Sequence, residues 1–438
     1  MAAFVTWFIR LKGRPALAGL PLAYFISIML IHWPGAAIYL LDNYRNYDPD
    51  IVLDGFRATT YGMIAFCIGV IFAGLWVGKP KLKSYQNQNN TSHFDKVMIE
   101  KIAVLLFLLG IVVELFILPL IQGIATVTSI IAGFSQLTVL GVCIGIWNAL
   151  QHRNKKSLYK WLILAYLFPF LSLINNAFLG FGVNKLIIAL AFLYQLRRVR
   201  ITHIILFSAF SYIAISFFVT YINSRSELRE LAWNEGAGYT QKFNKIWDMV
   251  TDVELFDLNN KSHLYAIDQR LNQNYLVGES IKYIGSGRID YANGETILSS
   301  LVALVPRVVW PEKPVVGGGG DIVSKYTGIW FSKNTSVGTG QVFEFYINFG
   351  NIGVIIGLFI FGFLISYFNQ NAIKAIGTGN FKGFILWFLP GISMIQAGGN
   401  LVEITTSVGA SIGSALLVII LYRRYLTRKS VFRNYRFS

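Results

Sequence analysis

Residues 98–121 read MIEKIAVLLFLLGIVVELFILPLI. Glu100 and Lys101 stand at the head of this run, and beyond them the only charge is Glu114. About 20 mostly apolar residues suffice to cross a bilayer as a helix, so the stretch is long enough to span. Nine further runs share its character, at roughly 17–41, 56–77, 126–150, 159–177, 183–196, 202–222, 344–368, 383–398 and 402–422. The pattern predicts an all-α polytopic membrane protein of about ten spans. The runs at 183–196 and 383–398 are short, which local bilayer thinning accommodates. Pro34-Gly35 marks a kink or stop near the end of the first.

Composition agrees. Of 438 residues, 54% are hydrophobic and only 14% charged, against roughly a quarter charged in soluble domains. Mean hydropathy is +0.53, which excludes a disordered chain and argues against a soluble globule. Cys67 and Cys143 both lie within apolar runs, which excludes a disulfide framework and a cysteine-based zinc site.

The net charge of +16 would suggest nucleic acid in a soluble protein. Its distribution says otherwise. With the N-terminus cytoplasmic, the inner segments hold 23 basic residues against only Asp95 and Glu100, a balance of +21 that leaves −5 for the rest. Positive charge on the inner loops is a topology signal, and no nucleic-acid partner is expected. Arg10, Lys12 and Arg14 precede a run too long for a signal peptide, so the first span reads as a retained anchor. Both termini then fall inside the cell.

Residues 223–343 break the pattern as a large outer, periplasmic loop. The chain thus divides into a bundle of about seven spans (1–222), the loop, and a C-terminal part of about three spans with a basic tail (344–438). Leu228, Leu231, Phe243, Ile246, Trp247 and Val250 recur at helical spacing, and Leu264, Ile267, Leu271 and Tyr275 share a face beside Arg270. Ile297–Val309 is apolar but too short to span, so it lies in the interface or re-enters. Pro311, Pro314 and Gly317–Gly320 argue for irregular backbone.

Charges inside spans are rare and usually functional. Glu114, Lys185, Glu344 and Glu403 cluster toward the outer ends, which points to a polar cavity, with snorkelling at helix ends as the plainer alternative. The segment Val305-Pro306-Arg307-Val308-Val309-Trp310-Pro311-Glu312-Lys313-Pro314 fixes two cations among three prolines. A rigidly held arginine suits oxygen-rich anions, whether a substrate or lipid phosphates. Asp48-Pro49-Asp50, with Asp42 and Asp54 nearby, reads as a metal-binding cluster or, more commonly, a solvated turn. His263 is an acid–base candidate or a solvated loop histidine. No glycine-lysine phosphate loop is present. An outward site has no nucleotide supply, which leaves lipid-linked glycosyl transfer, anion transport or ligation.

At this point residues 294–358 resemble the Wzy-type O-antigen and exopolysaccharide repeat-unit polymerases. The resemblance is carried by Pro306-Arg307, by Trp310-Pro311-Glu312-Lys313-Pro314, by the spacing from Arg307 to Gly318, and by Glu344-Phe345-Tyr346-Ile347-Asn348-Phe349-Gly350. One departure is Gly182-Val183-Asn184-Lys185, where many relatives carry Gly-Ser-Arg; lysine keeps the charge but loses the paired geometry. The resemblance implies a GT-C-like glycosyltransferase of the bacterial inner membrane, independent of metal and other cofactors. It would move the growing glycan from undecaprenyl diphosphate to the non-reducing-end sugar of a new undecaprenyl-diphosphate-linked unit. Its partners would be these lipid-linked donors and acceptors, bilayer lipid and a chain-length regulator. Arg270, Arg307, Lys313 and Lys185 would hold the donor diphosphate, and Glu344 would act on the acceptor hydroxyl together with Arg307. Glu114, Glu403, His263 and Arg288 are secondary candidates. A ligase to lipid A core would use His263 as base. A metal-dependent transferase of polyprenyl-phosphate sugars would use Asp48 and Asp50. A polysaccharide transporter fits less well without repeat symmetry.

Overall fold

The computed structural model describes residues 19–77, 93–121, 125–196, 201–233, 239–305, 310, 312–313, 318–332, 335 and 337–434. Among these, every regular element is helical. The N-terminal part runs α1 Leu20–Ile38, α2 Pro49–Val77, α3 His93–Val112, α4 Ala125–Ser135, α5 Leu137–Gln151, α6 Lys155–Tyr166, α7 Phe168–Asn176, α8 Leu179–Leu196 and α9 Ile201–Trp233. The loop contributes α10 Tyr239–Thr251, α11 Lys261–Leu271, α12 Asn274–Gly285, α13 Glu295–Ala303 and α14 Gly319–Thr327. The chain then forms α15 Gly340–Gly377, α16 Phe381–Ser393 and α17 Leu401–Asn434.

Among the described residues, eight helical segments are long and apolar enough to cross a membrane. They match eight of the ten expected runs. The run at 202–222 lies in α9, where the side chains of residues 201–211 fall outside the described ones. The run at 383–398 behaves differently: α16 has 13 residues and stops at Ser393. At 1.5 Å per residue it is about 20 Å long, short of the roughly 30 Å hydrocarbon core. Leu105, Phe116, Ile163, Ile352, Ile360 and Leu416 all point outward and exposed. Apolar surface on this scale identifies lipid as the surroundings of the helices.

The first span does not stop at Pro34-Gly35. α1 continues to Ile38, and the weakened turn receives the loop instead. The Gln273 N–H donates to the Ile31 carbonyl at 3.0 Å, and Asn274 Nδ2 donates to the His32 carbonyl at 2.6 Å. A Cβ at Gly35 would collide with Asn272, so glycine is what lets the loop approach. The same applies between α2 and α12, where a Cβ at Gly278 would collide with the Ile51 carbonyl. Val277, Ile284, Val323 and Tyr326 of the loop share one core with Phe66, Leu358 and Phe361 of the spans. The central part of the loop is therefore built into the bundle.

Two further expected segments take these forms. Tyr275 opens α12 rather than continuing α11, yet it packs against the cluster that holds Leu264 and Ile267, and it stacks on Tyr47 with ring centroids 3.6 Å apart. The apolar run from Ile297 forms α13, which ends at Ala303 and lies along α17, where Thr405 Oγ1 donates to the Ser300 carbonyl at 2.9 Å.

Candidate functional site

Glu344 does not open a span directly. α15 is broken at Phe349 (φ −145°) and Gly350 (φ 62°, ψ −151°), so Gly340–Asn348 is a short segment set ahead of the spanning part. Gly350 occupies a region of backbone space open essentially only to glycine. Asn348 holds the break: its Nδ2 donates to Thr296 Oγ1 at 2.6 Å and to the Glu344 carbonyl at 2.7 Å, and its Oδ1 accepts from Gly294 N at 2.9 Å. The Ala292 N–H adds a bond of 2.8 Å to the Ile347 carbonyl. These contacts give the Tyr-Ile-Asn-Phe-Gly sequence a structural meaning.

The short segment is buried against the turn between α16 and α17. Gln341 Oε1 accepts from the Tyr24 hydroxyl at 2.6 Å, while its Nε2 donates to the carbonyls of Gln396 (2.9 Å) and Gly399 (2.6 Å). Glu344, one turn on, is 0% exposed. Its Oε2 accepts the Leu401 N–H at the start of α17; among the described residues its Oε1 has no hydrogen-bond partner. Among the described residues Gln273 Oε1 and Thr339 Oγ1 are likewise buried without partners. A Cβ on Gly340 would run into Gln273 Oε1, so Gln273 reaches the helix start that Thr339 precedes and Glu344 follows by one turn. Buried polar atoms in native proteins are almost always satisfied. Near the start of α15 the described residues thus leave two acceptor oxygens, of Gln273 and Glu344, and one hydroxyl, of Thr339, which can donate as well as accept.

The other sequence candidates scatter. Glu403 joins Glu344 at the N-terminus of α17, but as a cap: Asn400 Oδ1 accepts from Glu403 N at 2.7 Å and Glu403 Oε2 accepts from Asn400 N at 3.2 Å, a reciprocal capping box. Lys185 is not open to a diphosphate, since its Nζ pairs with Glu114 Oε2 at 2.5 Å. Glu114 lies on the π-helical turn Val113–Ile117 that interrupts this span. Lys313 Nζ donates to the carbonyls of Ala303 (3.1 Å) and Val305 (2.9 Å), closing the C-terminus of α13. Arg307 lies outside the described residues, as do Pro306, Pro311 and Pro314. Arg270 is exposed at the end of α11, three residues before Gln273. Arg288 is exposed, with its guanidinium 5.5 Å from the Tyr283 ring.

His263 is not a solvated loop histidine. It is buried on α11, its Nδ1 accepts from Asp257 N at 3.1 Å, and its Nε2 faces Glu254 Oε2 at 3.2 Å. Both nitrogens are thus engaged in holding the 254–257 segment. Asp48 Oδ1 accepts from Asp50 N at 3.0 Å in an exposed turn ahead of α2. Among the described residues no three His, Cys, Asp or Glu side chains are grouped to hold a metal. An open surface groove of about 700 Å³ is lined by Tyr212, Ile215 and residues 255–259. It shares no residue with the Glu344 site.

Sequence reasoning missed a second buried group beside this site. Asp268 accepts from the hydroxyls of Tyr39 (3.0 Å) and Tyr44 (2.9 Å), from Asn46 Nδ2 (3.0 Å) and from Asn272 Nδ2 (2.6 Å). Burial, and then the Asp268 charge, push both phenols well above the ordinary tyrosine range. His32 Nδ1 lies 2.7 Å from Asn274 Oδ1. The run Asn272-Gln273-Asn274 was the available signal: three amides in a row, two residues after Arg270.

A family model described as "Domain of unknown function (DUF8712)" matches residues 54–428, and the chain belongs to that family. No curated protein and no solved structure matches it.

Proposed function

We propose that this member of the DUF8712 family is a GT-C-like glycosyltransferase that polymerises lipid-linked oligosaccharide repeat units at the outer face of the bacterial inner membrane, as the resemblance to Wzy-type polymerases implies. The acceptor sugar hydroxyl attacks the anomeric carbon of the donor. The bond from that carbon to the diphosphate breaks, undecaprenyl diphosphate leaves, and the hydroxyl proton passes to Glu344. A positioned carboxylate suits this step, because a hydroxyl is a weak nucleophile until its proton is drawn off. The observation that carries the reading is the partnerless Oε1 of a fully buried Glu344, placed within the motif that the resemblance rests on.

Arg307 and Arg270 remain the cations for the leaving diphosphate, since Lys185 and Lys313 are engaged by Glu114 and by backbone carbonyls. Cationic stabilisation of a departing diphosphate is the kind of electrostatic help worth about 10²–10³ in rate per donor. The ligase reading is weaker here, because both nitrogens of His263 are engaged.

The test is direct. Purified protein in vesicles, given a single lipid-linked repeat unit from the native strain, should convert it to a ladder of longer lipid-linked glycans. Recovery of the unit unchanged, with the protein folded, overturns the proposal. Transfer to lipid A core instead would indicate the ligase.

A further inference from the structure

Helix α10 has one broad apolar arc, only part of it covered. Ile246 and Met249 are buried and pack with Leu173, Ala177, Tyr221 and Leu228. Phe243 and Trp247, one turn apart at the uncovered edge of this arc, are 54% and 58% exposed, their rings stacked 6.4 Å apart. The helix is held in this pose by an ion pair from Lys245 to Glu227 of α9. The aromatic pair is thus presented outward by a fixed element.

The partners of the buried face set its depth. Leu173 and Ala177 stand at the close of the Lys155–Asn175 span, Leu179 opens the next, and Tyr221 and Leu228 lie in the second half of α9. All are at the loop-side ends of spans, where hydrocarbon gives way to headgroups. Phe170 and Phe181, on the neighbouring helices α7 and α8, are exposed too. Arg225 and Arg229 each place a guanidinium 5.4 Å from the Phe178 ring. Aromatic rings concentrate at this boundary in membrane proteins, and amphipathic helices lie in its plane with the apolar face among the acyl chains. Arginine pairs with phosphate oxygens through its planar fork.

We infer that α10, with Arg225, is a lipid-docking face: Phe243 and Trp247 enter the acyl–headgroup boundary and the Arg225 guanidinium meets a phospholipid phosphate. The bilayer is favoured over a protein partner because the face continues the exposed apolar surface of the adjoining spans and carries a cation, Arg225, at headgroup height.

The full-length protein in phosphatidylethanolamine–phosphatidylglycerol vesicles tests this. Cys67 and Cys143 are buried, so a nitroxide can be directed to Phe243→Cys or, on the exposed polar side, to Asp248→Cys. The label at 243 should collide with oxygen several-fold more, relative to a water-soluble nickel chelate, than the label at 248. Equal ratios at the two positions, or spin–spin broadening at 243 from a second copy, overturn the inference. For the cation, spin-labelled phosphatidylglycerol should be immobilised more than spin-labelled phosphatidylcholine. Arg225→Gln should abolish the difference. Equal immobilisation of the two lipids by the unaltered protein overturns the phosphate contact.

Discussion

Lys185 Nζ lies 2.5 Å from Glu114 Oε2, and the two side chains are only 9% and 10% exposed. The pair joins two spans 71 residues apart in sequence, at a π turn that aims Glu114 inward. A buried pair of this kind stabilises weakly as a whole but is costly to break on one side. Lys185→Met should therefore destabilise the protein by about 3–5 kcal/mol, read as thermal unfolding in detergent. Lys185→Met with Glu114→Leu should recover most of that loss and retain polymer synthesis. A stable but inactive double variant would return Lys185 to the diphosphate.

The break in α15 gives a second expectation. Gly350 at φ 62° and ψ −151° cannot take a side chain without strain of about 1–3 kcal/mol. Gly350→Ala should lower stability by that amount. Asn348→Ala, which orphans Gly294 N and Thr296 Oγ1, should do so by at least as much. Unchanged unfolding temperatures in both would mean that the break is not held as described.

The Asp268 group predicts an alkaline limit. Tyr39 and Tyr44 carry raised pKa values, mainly from burial and then from Asp268. A group held above its unfolded value contributes stability that is present below about pH 10, the unfolded tyrosine value. That contribution is lost as pH rises beyond it. Stability should fall above about pH 10, and Tyr39→Phe with Tyr44→Phe should flatten the fall, as followed by denaturant unfolding across pH. A fall of the same steepness in the double variant would contradict this.

Much of the architecture was legible in the sequence because a spanning helix announces itself in a contiguous apolar run. What was not legible depends on partners distant in the chain. The acceptor of the Asn274 amide is the His32 carbonyl, 242 residues away, and nothing in either local sequence names the other. Pro34-Gly35 reads as a stop only until the loop fills the notch. Glu344 could be singled out by its place in a motif. Its neighbours Gln273 and Thr339 could not, since uncharged residues in a loop carry no depth signal. The cations misled for the converse reason: Lys185 and Lys313 look available in sequence, but Glu114 and the last carbonyls of α13 take them up.

The proposed placement of the site on the outer side of the membrane rests on the charge balance of +21 against −5. A cysteine placed at Ser286, which is exposed in the loop, should react with a membrane-impermeant maleimide added outside whole cells. One at Ser84, in the basic segment before the third span, should react only after permeabilisation. The reverse pattern would invert the topology and remove the argument from missing nucleotides.

The central claim is that the partnerless oxygen of Glu344 takes the acceptor proton. Glu344→Gln measures it most directly, because the amide carbonyl can still accept the Leu401 N–H while the side chain can no longer take a proton. In vesicles supplied with lipid-linked repeat units, the variant should fold, bind substrate and extend chains slower by about 10²-fold or more. A polymer ladder formed at close to the unaltered rate would contradict the claim.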